Sequence, residues 1–429
     1  MKILRSNQGL TLFMVIFVMA FFLLFVTGSL VFSQLELKKT SNLQLATQAI
    51  EVADAGLQHA LASIPWVWNF NPQLSCAQPP CTVAANSSFP SGSRFSYTVT
   101  AQNDLSDGGG ANADTNNIIV LASRSSGPDN ATKLVQAYVR RSSTPFRPPA
   151  ALYINAASAS PQADSSNSSA NGFFDLNDNI RIIGNDTNTN NTAGSNGFLG
   201  SIATTNSTVT AALTNEYQSK YSTGLTGVDL HDIYHGNSPG GTNYLGVNLG
   251  PTVEPSVSTV GDDLDVIKTA DTLANQPGAV KYLYGLRTDS TTCPSTTPCQ
   301  LGASLSPQIT YIRETYDTDM TSLKGYVTGY GVLVLEGRPI IGENFKFYGL
   351  IVHKRPNGSS YVSFEDSALI YGAVLLGAYD ENDGKGAKVR FGVKDNVRIL
   401  YSSQALAPVD NNWGSLLPKP PRIFAWVDK

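Results

Sequence analysis

The sequence predicts an α+β protein: a long N-terminal helix on a small antiparallel sheet, followed by a mainly-β C-terminal domain of β-solenoid type. Three observations predict it. An uncharged apolar run, Leu10 to Phe32, passes without a proline into a stretch of helical periodicity that lasts to Ile64. Beyond Pro65 the periodicity falls to two. Past residue 330, apolar runs recur between glycines.

The bulk composition narrows the class. The chain has 429 residues, enough for two or three domains. Its 41% hydrophobic content fits a folded rather than a disordered chain. Only 14% of residues are charged, and 29 Lys+Arg against 33 Asp+Glu leave a net charge of −4 with no basic cluster. Electrostatically driven nucleic-acid binding is excluded on that ground. Abundant Ser, Thr, Asn and Gly suit an exported β-rich protein. Four His and four Cys leave little material for metal or nucleophilic catalysis.

The N-terminal element comes first. The 23 residues from Leu10 to Phe32 span about 34 Å as a helix, enough for a bilayer core of about 30 Å. Lys2 and Arg5 precede the run, which places the N-terminus in the cytoplasm and the remainder outside. A cleaved secretory peptide has a shorter apolar stretch, and the small-x-small triplet Thr27-Gly28-Ser29 lies inside the run. Leu43, Ala46, Ile50, Ala53, Leu57, Ala60 and Ile64 then step by three and four, an apolar stripe on one helix face. Residues 10–64 therefore read as one helix about 80 Å long, transmembrane over 10–32 and amphipathic after it. A membrane anchor followed by a short dimeric coiled coil competes with this. The narrow stripe suits docking on a sheet.

The sheet follows. Segments 94–100 and 133–140 alternate, and 117–122 is a more continuous apolar run. They read as three antiparallel strands, broken at Asp107-Gly108-Gly109-Gly110 and Ser126-Gly127-Pro128. Three strands alone are marginal and need a cover for one face, which the helix stripe supplies. Cys76 and Cys81 enclose a loop with Pro79-Pro80; Cys293 and Cys299 enclose one with Pro294 and Pro298. Two local disulfides are favoured over four thiolates on one zinc ion, given the extracytoplasmic setting. The sheet domain spans 65–141, and Ser142 to Pro149, reading SSTPFRPP, is a stiff linker.

Residues 150–429 form the β-rich domain. A short helix near 262–284 breaks at Pro277-Gly278, with Asp262 or Asp263 as its cap. Gly337, Gly349 and Gly372 punctuate apolar strands, at spacings of about one rung and then two of a parallel coil. An antiparallel sandwich is the competing architecture.

Candidate chemistry is sparse. The carboxylate pairs Asp175/Asp178, Asp317/Asp319 and Glu365/Asp366 sit in turn-like settings, where acids usually cap turns. His231 and His235 have metal-ligand spacing but no third ligand. Asp380, Asn382 and Asp383 bunch oxygens around Gly384 as weak calcium candidates, though no glutamate closes the loop at Phe391. No catalytic residue, metal or cofactor is expected, and the chain reads as a non-enzyme.

Two sets of residues carry a family resemblance. Ser6-Asn7-Gln8-Gly9 before Leu10-Thr11-Leu12 resembles a class III, type IV pilin signal, and residues 45–57 (LATQAIEVADAGL) resemble the helix of PilX-type pilus assembly proteins. Segments 331–337, 345–352, 367–377 and Tyr401-Ser402-Ser403-Gln404-Ala405-Leu406 resemble the C-terminal region of large PilX-like proteins, with Ile182-Ile183-Gly184-Asn185-Asp186 a looser match. The resemblance implies a leader, 1–9, cut by a prepilin peptidase between Gly9 and Leu10. It implies a minor pilin-like structural subunit of a type IV pilus, held in the inner membrane until assembly and then displayed on the pilus or cell surface. Its partners would be other pilins, the assembly machinery and a host or surface ligand, with the β-domain at the tip for priming or adhesion. Met14 departs from the family, whose major subunits carry Glu at the fifth mature position. The alternative is a membrane-anchored extracellular β-helix enzyme acting on polysaccharide.

Overall fold

The computed structural model describes residues 6–104, 106, 108, 110–155, 174–175, 181–211, 234–235, 257–261, 264–288, 299–314, 321–354, 362–365, 367–377, 389–391 and 397–428. They belong to two compact units. The first comprises Met1–Ile64, Asn69–Ser142 and Pro421–Lys429; the second comprises Pro65–Trp68 and Ser143–Pro420. The second unit is thus interrupted in sequence by the first, and Pro421–Lys429 belongs to the first unit rather than to a β-rich domain spanning 150–429.

In the first unit one helix runs unbroken over Ser6–Ser63, 58 residues. It starts before Leu10, and Gly9, its fourth residue, is tolerated there at a cost of about 1 kcal/mol against alanine. A four-residue helical turn, Asn71–Leu74, follows. The sheet has five antiparallel strands in the order Cys81–Asn86, Ser96–Asn103, Ile118–Ser126, Thr132–Arg141 and Pro421–Asp428. The middle three match the expected segments. The first has a weak β signal in Cys-Thr-Val-Ala-Ala-Asn. The last opens on a proline and carries a bulge between Ile423 and Ala425, both features of an edge strand. Burial alternates along Ser96–Asn103. Val99, Ala101, Ile119, Leu121, Ala137 and Val139 are fully buried. The third and fourth strands pair from Ile118 with Arg140 to Ser126 with Thr132. Asp129 and Asn130 take left-handed φ in the turn between them.

In the second unit the strands Gln308–Arg313, Val327–Glu336, Lys346–Lys354, Leu369–Gly377 and Arg398–Tyr401 lie side by side, all parallel and in chain order. Between them the chain visits a second parallel sheet at Ser322–Leu323, Ile340–Ile341, Val362–Phe364 and Val389–Phe391. Buried side chains of both sheets share one apolar cluster, with Val332, Leu350 and Val374 from the long strands and Leu323, Ile341 and Phe364 from the short ones. Arg181–Ile183 extends the long sheet beyond Arg398–Tyr401, and Val280–Tyr282 extends it beyond Gln308–Arg313.

The glycine register differs from the expected one. Gly331, Gly349 and Gly372 stand opposite one another, and Gly337 lies past the strand end. All three have left-handed φ, from +115 to +141. A Cβ on Gly349 would lie 2.0 Å from the Gly331 carbonyl oxygen, and one on Gly372 would lie 1.8 Å from that of Gly349. Each follows a tyrosine, and Tyr330, Tyr348 and Tyr371 stack with centroids 4.6 and 5.2 Å apart.

Two helices of this unit lie wholly within the described residues. Val266–Ala274 is capped by Asp265, whose Oδ1 accepts from the Lys268 N–H at 2.8 Å, while Asp262 and Asp263 lie outside the described residues. It ends at Ala274, before Pro277-Gly278, and Val280–Tyr282 beyond the break is a strand, so the helix expected near 262–284 is confined to its first half. Ser403–Trp413 was not expected as a helix.

Candidate functional site

The N-terminal helix divides into two halves with opposite surroundings. From Leu12 to Leu37 its large apolar side chains all face outward, including Phe13, Met14, Phe17, Phe21, Phe22, Phe25 and Phe32. Mean hydropathy over the best 18-residue window is 2.7 with none of it buried. The helix is long and apolar enough to cross a bilayer. The Thr27 hydroxyl donates back to the carbonyls of Leu23 and Leu24, so its polar group is satisfied within the helix. Met14 is 58% exposed. Gly9 and Leu10 lie in helical backbone.

The other half is seated on the sheet. Ala49, Val52, Ala53, Gly56, Leu57 and Ala60 are its buried face, and Ile64, one residue past its end, is buried as well. Gly56 sets the approach: a Cβ there would lie 2.5 Å from Ser123 Oγ and 2.9 Å from the Tyr97 ring. His59 Nδ1 and the Tyr97 hydroxyl are 2.8 Å apart beside it.

This seat corrects the expected stripe. Ala53 and Leu57 are buried, but Leu43 is 68% and Ile50 37% exposed, and Ala46 is half-buried. Leu43 lies more than a turn before the first buried residue, Ala49. Ile50 stands on the flank, about 100° around the helix from Ala49. A branched side chain is set aside there while small residues allow close contact. Alanine and glycine contribute little to a hydrophobic periodicity, so the true face was hidden by its own small residues.

Cys76 and Cys81 form a disulfide at the start of the first strand. Cys299 is disulfide-bonded, and Cys293 lies outside the described residues. Asp380, Asn382 and Asp383 also lie outside them, as do Asp178, Asp317, Asp319, Asp366 and His231. Asp175 and His235 fall in short strands. Glu365 accepts from Lys324 Nζ at 2.9 Å and Ser363 Oγ at 3.0 Å, as a bridging carboxylate. Among the described residues no three metal-ligating side chains cluster.

One polar cluster escaped sequence reasoning. Asp186 is buried at 6% exposure and accepts from Ser403 N–H and Ser403 Oγ, both at 2.7 Å, and from Asn196 N–H at 2.9 Å. It reinforces the N-terminus of the Ser403–Trp413 helix, where Ser402 Oγ accepts from Ala405 N–H at 3.2 Å. Ile182 and Ile183 pair with Ile399 and Leu400. The segments Ile182 to Asp186 and Tyr401 to Leu406 were each visible as motifs, but their meeting was not. Above them, burial raises the pKa of Tyr348 and Tyr371, and Tyr371 OH donates to Asn191 Oδ1. Burial likewise raises Tyr401.

No protein-family profile matches the chain, and no curated protein matches it. Among solved structures it is similar to the competence-associated pilin ComZ from Thermus thermophilus. The identity is 12%, the TM-score 0.20, and the match covers 90% of this chain and 97% of that one. A TM-score of that size lies below that of a shared fold and carries no functional weight.

Proposed function

We propose that the chain is a minor pilin-like structural subunit of a type IV pilus or a related filament, of the PilX type. The observation that carries this reading is the division of one unbroken helix into an outward-facing apolar half and a half seated on an antiparallel sheet. A helix seated at one end has its free half held at a fixed angle. In the inner membrane that half lies among lipid tails. In a filament, packing against the helices of other pilins replaces lipid, a change between two apolar surroundings that costs little. Prepilin peptidase acts after Gly9 and leaves Leu10 as the first mature residue. Met14 is then the fifth, where the missing glutamate suits a minor rather than a major subunit.

The rest of the chain lies outside the membrane. The alternation of the second unit between two parallel sheets supports its reading as a β-solenoid. Its bulk suits the filament tip, where it primes assembly or meets a surface ligand. The chain acts mechanically, without catalysis.

The test is the mature N-terminus, read by mass spectrometry from cells with and without a prepilin peptidase. A methylated N-terminus at Leu10, dependent on the peptidase, is expected. A chain that still begins at Met1 when the peptidase is present and Gly9 intact overturns the reading. Depolymerisation of a polysaccharide by the full chain, lost on a single carboxylate substitution, would instead establish the enzymatic alternative.

A further inference from the structure

The chain passes between its units four times, after Ile64, Trp68, Ser142 and Pro420. The segments of the second unit next to these crossings converge on one buried lysine. Lys419 exchanges two backbone hydrogen bonds with Val67, its N–H donating to Val67 O at 3.1 Å and its carbonyl accepting from Val67 N–H at 3.0 Å. Its ammonium donates to the Thr144 carbonyl at 2.9 Å and pairs with Asp410 Oδ1 at 2.9 Å. The same Asp410 oxygen accepts from Phe146 N–H at 2.9 Å. Both charged side chains are largely buried, 8% exposed for Lys419 and 16% for Asp410. Around them Trp68 Nε1 donates to Leu416 O at 2.7 Å, Trp66 meets Phe146 edge-to-face, and Lys268 Nζ lies 4.5 Å over the Trp68 ring.

We propose that the Lys419–Asp410 pair is a latch that ties the three linker segments, 65–68, 143–147 and 416–420, into one bundle and so holds the C-terminal strand Pro421–Asp428 in its sheet. This does not depend on the filament reading. The physical case is threefold. A buried ion pair is retained only where its groups are further hydrogen-bonded, and here both partners are. The charges sit where the bundle needs them: Asp410 on a helix of the second unit, Lys419 two residues before the strand begins. Pro421–Asp428 is an edge strand that pairs on one side only, with Thr132–Arg141, so an anchor just before its first residue adds a second point of hold.

Hydrogen exchange on the full chain in detergent tests this. Lys419→Met keeps the apolar stem and removes the ammonium. At least tenfold faster exchange is expected at Val67, Phe146 and Arg422 to Val427, with Val332 to Leu335 in the parallel sheet unchanged. Unchanged exchange at Arg422 to Val427 overturns the latch. If Lys419→Met does not fold, Asp410→Asn serves, since the amide oxygen still accepts from Phe146. With it, acceleration confined to the same three segments supports the latch, and uniform acceleration over both units overturns it.

Discussion

In the first unit a helix covers one face of an antiparallel sheet, and strands such as Ser96–Asn103 and Thr132–Arg141 show the covered and open faces largely in alternation. In the second unit Val327–Glu336 alternates only as far as Tyr330 and is then buried residue after residue through Glu336. Its neighbours Lys346–Lys354 and Leu369–Gly377 are buried almost throughout. The difference follows from what lies on each side. A half-covered sheet needs one apolar face, whereas a parallel sheet with packed elements on both sides needs two. Glycine serves both units as a point of close approach, but differently. Gly56 lets a helix settle onto a sheet, while Gly331, Gly349 and Gly372 stack on one another with backbone angles that L side chains rarely adopt.

The sharpest way to break that comparison is to fill the glycine stack. Gly349→Ala places a methyl 2.0 Å from the Gly331 carbonyl oxygen at φ +141. Strain and overpacking together should cost the second unit about 4 kcal/mol in denaturant unfolding. Gly278→Ala is the control. Its φ is +87 but nothing lies within 4 Å of a Cβ there, so the cost should be about 1 kcal/mol. Equal costs would show that dihedral strain, rather than the stacked carbonyls, demands glycine.

Next in size is the helix seat. Leu57 is fully buried, and Leu57→Ala should cost about 3 kcal/mol. Leu43→Ala, at a position 68% exposed, should change the stability of the single chain by less than about 0.5 kcal/mol. A large loss from Leu43→Ala would restore the stripe first read from the sequence. Opening the Cys76–Cys81 bridge by a double serine substitution should cost about 2 kcal/mol, since its loop is short.

The two units also differ in how far the sequence announces them. The helix and the three middle strands were plain because their periods, 3.6 and 2, survive in the residue pattern. The exact seat was not, because Ala49, Gly56 and Ala60 carry little hydrophobic contrast. In the second unit, continuous burial erases the period, and only repetition remained. The repeating unit is Tyr-Gly followed by aliphatics at 330, 348 and 371, and reading Gly337 as a member shifted the register. The return of Pro421–Asp428 to the first sheet could not be read, since no local signal states which of two sheets an edge strand will join. Asp186 was hidden for the same reason: its partners Ser403 and Asn196 meet it only through the fold.

The smallest effect concerns the tyrosine stack, which has no counterpart among the described residues of the first unit. Tyr330→Leu should cost about 1 kcal/mol, the value of the one stacked aromatic contact it makes, with Tyr348, beyond its burial. The phenols add a pH signature. Burial is the main force raising Tyr348 above 10.0, and the neighbouring Tyr330 and Tyr371 phenolates add to it. Burial also dominates at Tyr371 and Tyr401, against the opposing pull of Arg398 and Arg147 respectively. A phenol whose folded pKa exceeds its unfolded one binds its proton more tightly in the fold. Its contribution is therefore complete below about pH 10 and is lost as pH rises through the folded value. Stability of the second unit should fall on the alkaline side of pH 10, and phenolate absorbance near 295 nm should appear later in the folded chain than in urea. Tyr371→Phe should move the Tyr348 transition slightly downward, because it removes one neighbouring negative charge and leaves the burial in place. Coincident titrations of the folded and unfolded chain would mean that water reaches the stacked rings, and the second unit would then lack the dry, doubly covered sheet that sets it apart from the first.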